Sequence, residues 1–175
     1  MRVWVSGARG TLGRDVCRQL RGARGYVGEL GHIVVRPDGR ECYCGSRGCW
    51  ETEVGEEALC RALGLAERTP RGVLVAELRA LDRSALPGPL DGFAGWLAAG
   101  LVTAVNMLAP ELVVLGDLFT ALPPDVVESV RRAVHERSLV SRATGGTRIE
   151  TSSLGRDAKL VGAAELAFEP VLGAV

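Results

Sequence analysis

The stretch Gly28-Glu29-Leu30-Gly31-His32, followed by Cys42-Tyr43-Cys44-Gly45-Ser46-Arg47-Gly48-Cys49-Trp50-Glu51, decides how this chain is read. His32, Cys42, Cys44 and Cys49 supply one imidazole and three thiols, the donors that a four-coordinate zinc ion prefers. Pro37-Asp38-Gly39 is a turn signal that lets the chain fold back between the first and second ligands. Gly45 and Gly48 relieve the steric limits of a tight loop around an ion. Four protein ligands leave no open coordination position, so the expected zinc is structural. Glu29 and Glu51 bracket these ligands, and carboxylates suit the paired hydroxyls of a sugar.

Working outward, 175 residues fit one ordinary domain with a real core. Lysine plus arginine equals aspartate plus glutamate at 21 each, so no basic surplus argues for nucleic-acid binding by this chain. Arg2, Arg9 and Arg14 interrupt any apolar core of a secretory signal. A cytoplasmic, reducing setting is expected, where clustered cysteines read as metal ligands before disulfides. Residues 92–110 carry no charge. Their glycines, Thr103, Asn106 and terminal Pro110, with no basic anchor at either flank, predict a buried core helix and no membrane span.

Residues 2–6 alternate as a strand does, and 33–36 are expected to form a second short strand. Helices are predicted over about 55–63, 73–81, 92–108 and 125–136, with a last one over 158–168. A buried strand is expected at 111–116 and a further strand at 148–151. Alternation of strand and helix in the second half indicates an α/β layer architecture.

Gly-Glu-Leu-Gly-His followed by Cys-x-Cys-Gly-x-x-Gly-Cys-x-Glu resembles the ROK family of repressors, open reading frames and sugar kinases. Residues 106–116 (Asn-Met-Leu-Ala-Pro-Glu-Leu-Val-Val-Leu-Gly) look like that family's helix-to-strand segment, and residues 153–164 look like its C-terminal motif. The resemblance implies the C-terminal lobe of an actin-like, ribonuclease-H-like fold over residues 21–175, with a zinc loop at 28–51 after an atypical segment 1–20. It implies zinc on His32, Cys42, Cys44 and Cys49, and a sugar or amino sugar facing Glu29, His32 and Glu51. His32 would then offer one nitrogen to the metal and the other to the ligand. A lobe of a two-lobed protein exposes the surface that faced its partner, so a homodimer is expected.

Family kinases also carry an Asp-x-Gly-x-Thr phosphate loop and a catalytic aspartate that follows an asparagine. Neither occurs in this sequence, whose one asparagine is Asn106, in the expected buried helix. Phosphoryl transfer needs both positioning and a base, so no sugar phosphorylation is expected of this chain. Where the kinases resemble Gly-Gly after the Val-Val-Leu strand, Gly116 is followed by Asp117, whose side chain would crowd a nucleotide and whose charge would repel phosphates. The expected function is therefore that of a sugar-sensing transcriptional regulator, reaching DNA only through an N-terminal module. A sugar-kinase fragment and a zinc-stabilised dimerisation module are the alternatives. Residues 1–13 resemble the start of a dinucleotide-binding fold, with Gly7, Gly10 and Gly13 after a strand. No complete βαβ unit with a ribose-binding acidic residue follows.

Overall fold

A computed structural model describes residues 2–6, 29–81, 88–154 and positions 161, 164 and 168. Gly7, Gly10, Gly13, Gly28 and most of the expected helix 158–168 lie outside the described residues. Three parallel strands form one sheet in the order β1 (Arg2–Ser6), β2 (Leu112–Gly116), β3 (Arg148–Thr151). Arg2 pairs with Leu112 and Ser6 with Gly116, so the N-terminal strand runs the full length of β2. Leu112 to Leu115 pair in turn with Arg148 to Thr151. Parallel neighbours need long crossovers, and the helices lie between them in sequence.

Those helices are α1 (Trp50–Val54), α2 (Glu56–Ala62), α3 (Arg71–Ala80), α4 (Asp91–Leu108), α5 (Pro124–Arg137) and α6 (Leu139–Ala143). Short 3-10 turns occupy Leu30–His32 and Asp117–Ala121. Helix α4 is long and apolar enough to cross a membrane by length and composition. Its residues Phe93, Leu97, Leu101, Ala104 and Val105 are buried in the core beside Val113 and Leu115 of β2, which is how a core helix behaves. Ala109 ends it in the left-handed region at φ 46°, ahead of Pro110. Helix α5 starts on Pro124, where a missing N–H is harmless, and buries Val126, Val130 and Val134 along one stripe.

Several local expectations need correction. Residues 33–36 do not form a strand: Val34 makes a single antiparallel bridge to Cys49, and the Val35 and Arg36 amides both donate to the Gly48 carbonyl. The opposing chain is itself a loop, so no ladder extends. The helix expected at 55–63 is preceded by a separate helix, α1. The break falls at Gly55, whose extended backbone still donates to the Glu51 carbonyl. Asn106 lies on α4 as expected but is exposed. Its amide oxygen accepts from the Ser138 hydroxyl at 2.8 Å and the Val140 amide at 3.3 Å, tying α6 to the end of α4.

Asp117 is also neither solvated nor presented openly at the strand end. It is 8% exposed, has φ +58°, and pairs with the Arg71 guanidinium at the start of α3. Arg71 offsets its charge, which removes most of the expected repulsion of phosphates. The side chain itself is buried directly after β2.

Trp50 anchors the preceding loop on α4. Its ring lies directly over Gly100 of α4, and its indole N–H donates to the Trp96 carbonyl at 2.9 Å. A Cβ on Gly100 would meet that ring at 2.0 Å. Gly100→Ala should therefore lower stability by about 1–3 kcal/mol through overpacking. Gly95→Ala, on the same helix with open space around it, should be neutral or stabilising by about 0.5–1 kcal/mol. Urea denaturation of the two variants checks this. Equal midpoints would show that the tryptophan does not need the gap.

Candidate metal and ligand site

The loop between His32 and Trp50 is a bridged hairpin standing on α1. Beyond the Val34–Cys49 bridge, Glu41 pairs with Arg47, and the Gly48 amide donates to the Arg40 carbonyl at 2.8 Å. The Pro37-Asp38-Gly39 signal forms its turn, with the Gly39 amide on the Arg36 carbonyl at 2.8 Å. Gly48 adopts φ +65°, and a Cβ there would fall 1.5 Å from the Arg36 carbonyl oxygen. Only glycine lets the two arms approach this closely. Gly45 also has positive φ, in open space, so its role is the turn between Cys44 and Ser46.

Two contacts fasten this loop to the helices. Arg36 lies 5.7 Å over the Trp96 ring and 3.5 Å from a Glu53 carboxylate oxygen. Glu53 is buried, and its other oxygen, Oε1, has no hydrogen-bond partner among the described residues. The Trp50 amide donates to the Ile33 carbonyl at 2.8 Å, joining the base of the loop to α1.

The hairpin brings together every metal ligand expected from the sequence. One donor atom from each of His32, Cys42, Cys44 and Cys49 lies within 4.8 Å of all the others. The Cys44 and Cys49 sulfurs are 3.6 Å apart, and Cys42 Sγ is 3.6 Å from His32 Nδ1. Around a tetrahedral ion with metal–sulfur bonds of about 2.3 Å, sulfurs sit roughly 3.8 Å apart. The four residues therefore can hold a metal ion, and the donor set is consistent with zinc. Cys42 and Cys49 are buried and Cys44 is exposed. Cys60, also buried, lies in α2 and is not in this cluster.

Glu29, His32 and Glu51 also converge. Glu51 Oε1 is 3.7 Å from His32 Nδ1 and accepts from the Cys42 thiol at 3.1 Å. On the other side of the ring, Glu29 Oε2 is 3.9 Å from His32 Nε2. Gly31 leaves room for Glu51, whose Oε2 would be 3.4 Å from a Cβ at that position. His32 thus turns Nδ1 to the thiols and Nε2 outward, with a carboxylate near each nitrogen. The sequence reading missed Tyr43, whose hydroxyl lies 3.0 Å from His32 Nε2. No motif signalled it, because it sits between two ligands that drew the reading.

Burial pushes the Cys42 thiol up to about 12, reinforced by its hydrogen bond to Glu51. Burial raises Cys49 as well, whereas the Ser46 amide lowers exposed Cys44. A metal binds thiolates, so it must displace protons that the fold holds firmly on Cys42 and Cys49. Metal affinity should then fall as pH is lowered from about 8 to about 6, because protons compete for the same sulfurs. A competition titration with a chromophoric chelator measures this. Affinity independent of pH over that window would contradict thiolate ligation.

Comparison with known proteins places the chain in a family. The ROK family pattern matches residues 16–169. A xylose repressor of Bacillus spizizenii is 30% identical over 155 residues, covering 89% of this chain and 40% of its own length. A glucokinase of Streptomyces coelicolor is 32% identical over 172 residues, covering 86% of this chain and 53% of its own. A solved ROK family glucokinase from Streptomyces griseus, in complex with glucose and AMPPNP, is 26% identical with a TM-score of 0.68, over 94% of this chain and 59% of that one. The chain thus spans about half, or less, of the curated relatives it matches. Its α/β sheet and helices fit the actin-like fold of the solved family members. Repressors and kinases both stand among its relatives, and the chain belongs to the ROK family.

Proposed function

We propose that this chain is the sugar-sensing lobe of a ROK-family transcriptional regulator, with Glu29, His32 and Glu51 as its sugar-binding residues and structural zinc on His32, Cys42, Cys44 and Cys49. The observation that carries the reading is the placement of two carboxylates about one imidazole, with Glu51 3.7 Å and Glu29 3.9 Å from its two nitrogens. Ionised carboxylates only accept hydrogen bonds, and sugar hydroxyls donate them. Zinc, when bound, supplies a fixed cation that holds the thiolates and orients the imidazole. No reaction is routed through it. When Cys42 ligates zinc as a thiolate, its proton passes to solvent, and Glu51 Oε1 loses that donor and becomes available to a ligand hydroxyl.

The regulator reading over the kinase reading is supported by the end of β2. Nucleotides in open α/β sheets lie beyond the carboxyl ends of parallel strands. Here that place holds Asp117 locked onto Arg71, side chains filling space that bare backbone would leave open. A second reading, the sugar lobe of a ROK sugar kinase, is favoured by the 32% identity to glucokinase. In either case DNA binding and phosphoryl transfer would belong to regions beyond this chain. A homodimer belongs to the same proposal, on exposed Met107 and Leu139.

Calorimetric titration with glucose, xylose and an N-acetylated hexose tests the reading. At least one should bind, and Glu51→Gln should weaken it by about tenfold or more, the effect of losing a charge-assisted acceptor. ATP and magnesium should yield no sugar phosphate. Absence of binding to every sugar would refute sensing, and phosphorylation by this chain would contradict both readings, which place phosphoryl transfer outside it.

A further inference from the structure

Tyr43 has no part in the proposed function, yet its position beside His32 is specific. Its hydroxyl is 3.0 Å from His32 Nε2, with the two rings edge to face at 5.1 Å. Despite that contact Tyr43 is 77% exposed. Its ring therefore gains little from burial, and its hydroxyl still lies within hydrogen-bond distance of the histidine.

The tautomer of His32 gives the contact a direction. Nδ1 lies among the thiols, 3.6 Å from Cys42 Sγ. An imidazole nitrogen that ligates a metal carries no proton, so the single ring proton sits on the other nitrogen. Nε2 then donates, and the Tyr43 hydroxyl accepts. An N–H has one proton, and a sugar hydroxyl approaching His32 needs the same one. The space beside Nε2, near Glu29 Oε2, is already held by a hydroxyl on an aromatic ring.

We propose that Tyr43 is an intramolecular stand-in for the ligand. Its hydroxyl occupies the sugar-hydroxyl position on His32 Nε2 and must swing out before a sugar can bind, so it sets the affinity threshold of the site. The device rests on the sugar-binding reading above. Binding exchanges one hydroxyl acceptor for another at His32, so that contact adds little net affinity. Selectivity then falls on Glu29 and Glu51, where the ligand gains hydrogen bonds that Tyr43 does not provide.

Tyr43→Phe keeps the ring and removes the competing hydroxyl. Titrations of zinc-loaded wild type and Tyr43→Phe with glucose and with xylose, alongside elemental zinc analysis of both proteins, test the proposal. The expected result is an unchanged zinc content with sugar affinity about three- to tenfold tighter in Tyr43→Phe, the scale of one released hydrogen bond. Binding detectable only in Tyr43→Phe supports it equally. Wild-type binding with equal or weaker affinity in the variant overturns the stand-in and leaves the sugar reading intact. No binding by either protein overturns both. Tyr43→Phe that loses zinc assigns the hydroxyl to support of the metal loop and overturns the proposal.

Discussion

The contact of Trp50 with Gly100 is the constraint on which the rest of the site depends. Cys49 and Glu51 flank Trp50 in sequence, so the indole position fixes a metal ligand and a carboxylate together. The absence of a Cβ at Gly100 lets the ring reach the α4 backbone, and the Trp96 carbonyl fixes its rotation through the indole N–H. Trp96 is used twice, since its own ring lies under Arg36 at the other end of the hairpin. A loop with almost no secondary structure is thereby held at both ends by one turn of a core helix.

Between these two anchors the loop is irregular, and it carries Cys42 and Cys44 there, with His32 and Cys49 at its ends. The hairpin has two isolated bridges and no strand. Its apolar burial is confined to its base, at Cys42, Cys49 and Trp50. Small segments with little core gain their order from cross-links or metals. A metal on His32, Cys42, Cys44 and Cys49 would tie His32 to cysteines 10 to 17 residues away and fix its ring beside Glu29 and Glu51. In the proposed reading, metal binding and sugar recognition share His32 and are coupled through it.

Long apolar elements were legible in the sequence. Helices α4 and α5 and strand β2 follow from uninterrupted apolar runs or 3.6-residue periodicity, with Pro110 and Pro124 as boundaries. The metal cluster was legible because its ligand types are rare and closely spaced. Helices α1 and α6 were not, since five residues are too few to show a period. The run Ile33-Val34-Val35 has strand composition but meets only the irregular arm around Gly48, and composition cannot report the partner. Arg71–Asp117 and Ser138–Asn106 join residues 46 and 32 positions apart, and nothing local encodes either pair. Asp117 illustrates the difference: its departure from glycine was readable, but its burial against Arg71 required the fold.

The central claim is that a metal-braced loop presents Glu29, His32 and Glu51 to a sugar. Calorimetric sugar titration of one preparation, metal-loaded, then stripped with a chelator, then reloaded with zinc, measures it directly. The account predicts binding that disappears on stripping and returns on reloading, while the far-ultraviolet circular dichroism of the helical core persists. Sugar affinity that survives complete removal of the metal would contradict it.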